Sequence, residues 1–140
     1  MIRNTAVTVC GPLNVNKLGV TYVHEHLMVK PQLPDEYYIP YTLDDEAAST
    51  EETRSFSAAG GETLVEMTPI NYGRNVKAYQ RIAQATGVHV ICCTGFHKQL
   101  FMPPWFGDKT DGELYDILMD EVTNGLDGTE IHPGVIKLGT

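Results

Sequence analysis

Apolar and polar positions along this 140-residue chain switch repeatedly between a strand-like and a helix-like period. Short apolar runs over Val20–His26, Thr63–Met67, His89–Thr94 and Gly134–Leu138 predict four strands. The third is continuously apolar, as in a strand buried on both faces. Between these runs the period lengthens. A helix is predicted from Asp44 to Ala59, acidic in its first turns and stopped by Gly60-Gly61. A second covers Arg74–Thr86, with Val76, Tyr79, Ile82, Ala83 and Thr86 at helical spacing and Gly87 just beyond. Thr110-Asp111-Gly112-Glu113 reads as a capping box opening a third, with Leu114, Ile117, Leu118, Val122 and Leu126 on one face. Ahead of the first strand, Thr5–Val9 and Leu13–Val15 flank Cys10-Gly11-Pro12 as a small hairpin. Tyr37–Tyr41, among Pro31, Pro34 and Pro40, is expected to be loop.

Strand and helix in strict alternation imply parallel βαβ units with right-handed crossovers. Two architectures fit: a doubly wound open sheet, or part of a (β/α)₈ barrel. Neither a GxGxxG nor a GxxxxGK[ST] follows the first strand, which disfavours the nucleotide-binding forms of the open sheet.

Composition narrows the partners. The net charge of -8 lacks the basic footprint that nucleic acid or an anionic membrane requires. No apolar run approaches the ~18 residues of a membrane helix, and Met1–Thr5 lacks the apolar core of a signal peptide. Cys10, Cys92 and Cys93 are too few and too oddly placed for a disulfide framework; adjacent Cys92 and Cys93 read as core packing. The expectation is a soluble, cytoplasmic protein.

Tyr22-Val23-His24-Glu25-His26-Leu27 carries the clearest chemistry. On a strand, His24 and His26 share one face about 7 Å apart, while Val23, Glu25 and Leu27 face the other way. Two neutral imidazoles so placed can grip one divalent cation. On a helix they would diverge by about 200°. Two exposed histidines on an edge strand are the plain alternative. Lys137 is the second oddity: an ammonium near the end of an apolar strand must snorkel, pair with a carboxylate, or lose its proton. A neutral amine can capture carbon dioxide as a carbamate.

Val9-Cys10-Gly11-Pro12 followed by Gly19-Val20-Thr21-Tyr22-Val23-His24-Glu25-His26-Leu27 resembles the opening of the phosphotriesterase-like family of the amidohydrolase superfamily. The resemblance continues through Gly73-Arg74-Asn75-Val76, Val88–Ile91 with Thr94-Gly95, and Gly125–Thr129, and closes on Gly134-Val135-Ile136-Lys137. It implies a (β/α)₈ barrel whose site lies at the C-terminal strand ends, where the histidine pair falls. It implies two divalent metals, with zinc expected, His24 and His26 on the more buried ion, and Lys137 as a bridging carbamate. A hydroxide shared by the metals would then attack a lactone, a carboxyl ester or a phosphotriester. A lactone is favoured, with a phosphorylated sugar lactone as one form.

The family pattern also needs two histidines after the fifth and sixth strands and an aspartate after the eighth, none of which is present by Thr140. Four units in 140 residues scale to about 280 for eight, within the usual barrel range. The expectation is an N-terminal half: residues 1–19 a hairpin, residues 20–140 the first four βα units, in an enzyme that could be a homodimer. His89 and His132 should lie at the wrong end to substitute. His97 and Lys98, after Thr94-Gly95-Phe96, should face the pocket and could bind a substrate phosphate. Phe101, Pro103, Pro104, Trp105 and Phe106 form an aromatic loop beside them. The competing reading is a non-catalytic half-barrel serving as a metal-binding or assembly module.

Overall fold

A computed structural model describes residues 4–31 and 42–139. Four parallel strands form one sheet in the order β3-β4-β5-β6, which is also their order in the chain. They are β3 (Thr21–Glu25), β4 (Thr63–Glu66), β5 (His89–Phe96) and β6 (Val135–Leu138). Three helices connect them: α1 (Glu46–Ala58), α2 (Val76–Thr86) and α3 (Asp111–Asn124). The strand order never reverses, so right-handed crossovers place every connecting helix on the same face of the sheet. That is the barrel's arrangement, since a doubly wound sheet needs a reversal to cover both faces. The chain forms the first half of a curled barrel sheet. The Tyr37–Tyr41 segment lies outside the described residues.

The antiparallel hairpin is present, but its turn differs from expectation. β1 (Thr5–Thr8) and β2 (Gly11–Asn14) pair Thr8 with Gly11, so Val9-Cys10 makes the turn and Pro12 lies in the strand. Gly11 at φ 107 permits the tight reversal. The Val9 amide donates to the Val90 carbonyl (2.8 Å), docking the hairpin beside the start of β5.

The core fills the space between sheet and helices. α2 contributes most, burying Val76, Ala78, Tyr79, Ile82 and Ala83 against Leu64, Val90 and Cys92. Its start is later than the apolar pattern suggested: Asn75 caps it by accepting from the Ala78 amide, leaving Arg74 outside. α1 begins at the Asp45 cap, and α3 carries the full Thr110–Glu113 capping box. Leu126 is wholly buried but lies past Gly125, in a 3-10 turn rather than on α3. α3 itself has no fully buried residue. Both adjacent cysteines are buried in β5, as core packing requires. Among the described residues no helix is long and apolar enough to cross a membrane.

Candidate metal centre

His24, Glu66, Phe96 and Lys137 all sit at or within two residues of the C-terminal end of β3, β4, β5 and β6. His26 follows β3 directly and His97 follows β5. Parallel strands in register bring these ends to one rim. His89 starts β5 at the opposite end, and His132 lies in a loop with its Nδ1 3.1 Å from the Val122 carbonyl, so neither reaches the rim.

The histidine pair does not lie on one regular strand, since His24 is in β3 and His26 follows its last residue. The register between β3 and β4 slips by one residue between Tyr22 and Glu25. Val23, inside this irregular interval, is 70% exposed, and Tyr22 stacks on Phe56 of α1. The His24 and His26 rings meet edge-on with centroids 5.3 Å apart. Lys137 does not snorkel: it is 7% exposed, and its Nζ lies 3.4 Å from His24 Nε2. Burial holds its pKa below the ordinary lysine value, offset in part by nearby Cys93 and Glu66. Gly95, paired with Lys137 across the ladder, allows this approach, because a Cβ there would collide with the Lys137 carbonyl oxygen.

Around these three lies a layer that the chain's pattern did not single out. Glu66 is fully buried, and burial pushes its carboxyl up to about 7 against hydrogen bonds from Thr68 and the pull of Arg74. Its Oε1 accepts from the Thr68 amide (3.0 Å) and hydroxyl (2.6 Å). Oε2 has no partner among the described residues. The neighbouring Tyr79 hydroxyl gives its single proton to the Met28 carbonyl (3.0 Å), so it is not available to that carboxyl. Thr68 Oγ1 also meets His26 Nδ1 at 2.8 Å, whereas the direct Glu66–His26 separation is 3.7 Å. Burial, then the charges of Lys137, His24 and His97, lowers the His26 pKa to about 4, keeping the ring neutral.

Tyr72 forms the wall between the two histidine-bearing loops. Its ring meets His26 at 5.8 Å, His97 at 4.6 Å and Phe101 at 4.8 Å. His97 Nδ1 accepts from the Lys98 amide (2.7 Å), so a neutral His97 carries its proton on Nε2 and presents a donor. Burial and the nearby lysines keep its pKa below the ordinary value. Lys98 is exposed on the rim, with its ammonium 5.6 Å from the Phe101 ring centroid. Trp105 and Phe106 pack against Phe96 rather than into the rim's centre.

Two imidazoles and a buried amine thus meet at one rim, His24 and Lys137 being 113 residues apart in the chain. Among the described residues no set of three His, Cys, Asp or Glu side chains is arranged to hold a metal alone. The phosphotriesterase family model matches residues 4–140. The chain belongs to the phosphotriesterase family. Among its relatives, an N-acetyltaurine hydrolase of Danio rerio is 31% identical over 99% of this chain and 48% of that protein. A phospho-furanose lactonase of Mycoplasmopsis synoviae is 33% identical over 98% of this chain and 40% of that protein. The crystal structure of a lactonase from Listeria monocytogenes superimposes with a TM-score of 0.87 at 29% identity, over 97% of this chain and 47% of that one. The chain thus spans just under half the length of the phosphotriesterase-family proteins it matches.

Proposed function

We propose that this chain supplies the first half of a binuclear metal hydrolase site acting on a lactone. The observation that carries the reading is the meeting of His24, His26 and Lys137 at one rim, with Lys137 buried against an imidazole instead of reaching solvent. The donor chemistry fits divalent zinc: neutral imidazoles are its preferred nitrogen ligands, and a lysine in this setting is able to lose its proton. A neutral Lys137 amine would add to carbon dioxide, forming an N–C bond and releasing one proton, to give a carbamate able to bridge two ions. When bound, the metal pair would make water nucleophilic near neutral pH and polarise the substrate's carbonyl oxygen.

The chain's own residues would orient the substrate. His97 Nε2–H can donate to a substrate oxygen, while Tyr72 and Phe101 exclude water from one side. Lys98 on the rim is placed to meet a phosphate on a phosphorylated sugar lactone. Support for a lactone comes from the lactonases among the similar proteins, and the amide hydrolase among them makes N-acetyltaurine the competitor to assay.

In the full-length gene product, elemental analysis should find two divalent ions, and His24→Ala or His26→Ala should lose metal and most lactone turnover. Full turnover after exhaustive chelation would refute the metal reading. Carbon-13 NMR after labelled bicarbonate should show a carbamate that Lys137→Ala abolishes; a metallated site with a free ammonium would remove the bridging role. Lys98→Ala should raise KM several-fold for a phosphorylated lactone and leave its dephosphorylated analogue unchanged. An equal effect on both would exclude the phosphate contact.

A further inference from the structure

We infer that Thr68 and Glu66 are positioning residues that hold His26 in the tautomer protonated on Nδ1, leaving Nε2 bare. The consequence for a metal rests on the proposed function; the tautomer itself does not.

The Thr68 amide can only donate, and it lies 3.0 Å from Glu66 Oε1, so Oε1 accepts. The Thr68 hydroxyl lies 2.6 Å from the same oxygen, and its one proton therefore points there. Oγ1 then turns only lone pairs toward His26 Nδ1 at 2.8 Å, a contact that is attractive only if Nδ1 carries hydrogen. A neutral imidazole has one N–H, so Nε2 holds a free pair. The count is made with Glu66 as the carboxylate, whose Oε1 offers only lone pairs to the Thr68 amide and hydroxyl. Thr68 is 1% exposed and Glu66 0%, so solvent does not scramble the chain. His97, whose Nδ1 accepts from a backbone amide, takes the opposite tautomer; these two histidines of the one rim are thus set as a bare nitrogen and a donor. A carboxyl that orders a hydroxyl that orders an imidazole is the kind of outer support that tunes metal-ligating histidines.

Nitrogen-15 NMR of the His26 ring in the chelated, full-length protein reads the tautomer directly. The wild type should show protonated Nδ1 and bare Nε2; the reverse assignment overturns the inference. Thr68→Val, which keeps the shape and removes the hydroxyl, should mix the tautomers and weaken zinc binding by about 10–100-fold. Thr68→Ser should restore both. A Thr68→Val protein with wild-type tautomer and affinity also overturns the inference. If Thr68→Val does not fold, the wild-type assignment and the serine variant still decide. A wild type that binds no zinc would refute the proposed function alone, and the ring assignment would still judge the tautomer.

Discussion

His26 and Glu66 lie 3.7 Å apart with pKa values displaced in opposite senses, and their effects on stability oppose each other. His26 falls to about 4 from 6.5, so the folded state binds fewer protons between those values and loses stability as pH drops through them. Glu66 rises to about 7 from 4.5, so the folded state binds more protons there and loses stability as pH climbs. Between pH 4.5 and 6.5 the two slopes offset in the chelated protein. Glu66→Gln keeps the acceptor but removes the titration, so its stability should climb with pH across that window. Urea unfolding at a series of pH values checks this, and a profile parallel to wild type would rule it out. His24, His26 and Lys137 were legible in the sequence because charged or chelating types stand out in apolar strands. Glu66 in Leu64-Val65-Glu66-Met67 is the same anomaly as Lys137, and the same reasoning applied there would have found it. Thr68 and Tyr72 are ordinary loop residues until folding places them against His26.

Two arginine–carboxylate clusters separate structural need from decoration at the scale of elements. Arg74, with its side chain 3% exposed, ties the segment before α2 to α3 and the turn after it. It donates to Glu121, to Asp127 (2.6 Å) and to the Cys93 carbonyl (3.0 Å). Asp127 reaches it from a left-handed backbone at φ 52, which aspartate tolerates better than most residues. Arg81 pairs with Glu46 at 2.6 Å, joining α2 to α1, but the side chains are 55% and 36% exposed. Removing one partner of a buried pair strands the others, whereas an exposed pair is nearly neutral. Arg74→Met should therefore cost about 3 kcal/mol in unfolding free energy. Arg81→Met should cost less than about 1 kcal/mol. Equal losses in thermal or denaturant unfolding would contradict this ranking. Arg74 reads in sequence as the first residue of a helix, because periodicity sees only apolar spacing and not a buried charge. The β3 bulge was equally hidden, since register is a property of two strands and neither sequence alone contains it.

At the scale of the whole sheet, the two outer strands, β3 and β6, each have a single strand neighbour among the described residues. Alternating strands and helices made the parallel sheet legible from the chain, while the choice of barrel over open sheet waited on the strand order. On β3's side Val20 is 63% and Val23 70% exposed; on β6 Ile136 is 60% and Leu138 78%. A cleft of about 540 Å³ lies between β3 and α1, lined by Tyr22, Leu27, Leu43, Phe56 and Leu64 among others. Parallel sheets normally have both faces covered, and unpaired apolar edges template association. In a closed barrel β3 and β6 would pair with the eighth and fifth strands, and the further ligands that the proposed metal site calls for would come from that missing half. A polypeptide confined to residues 1–140 should then self-associate through these edges and lack efficient hydrolysis. Ile136→Lys with Leu138→Lys should shift it toward monomer, because inserted charges oppose strand pairing. Sizing by light scattering, a thermal melt and a lactone assay on that polypeptide would decide. A monomeric, cooperatively melting and fully active 1–140 chain would mean that four strands suffice, and that the site needs nothing beyond this half.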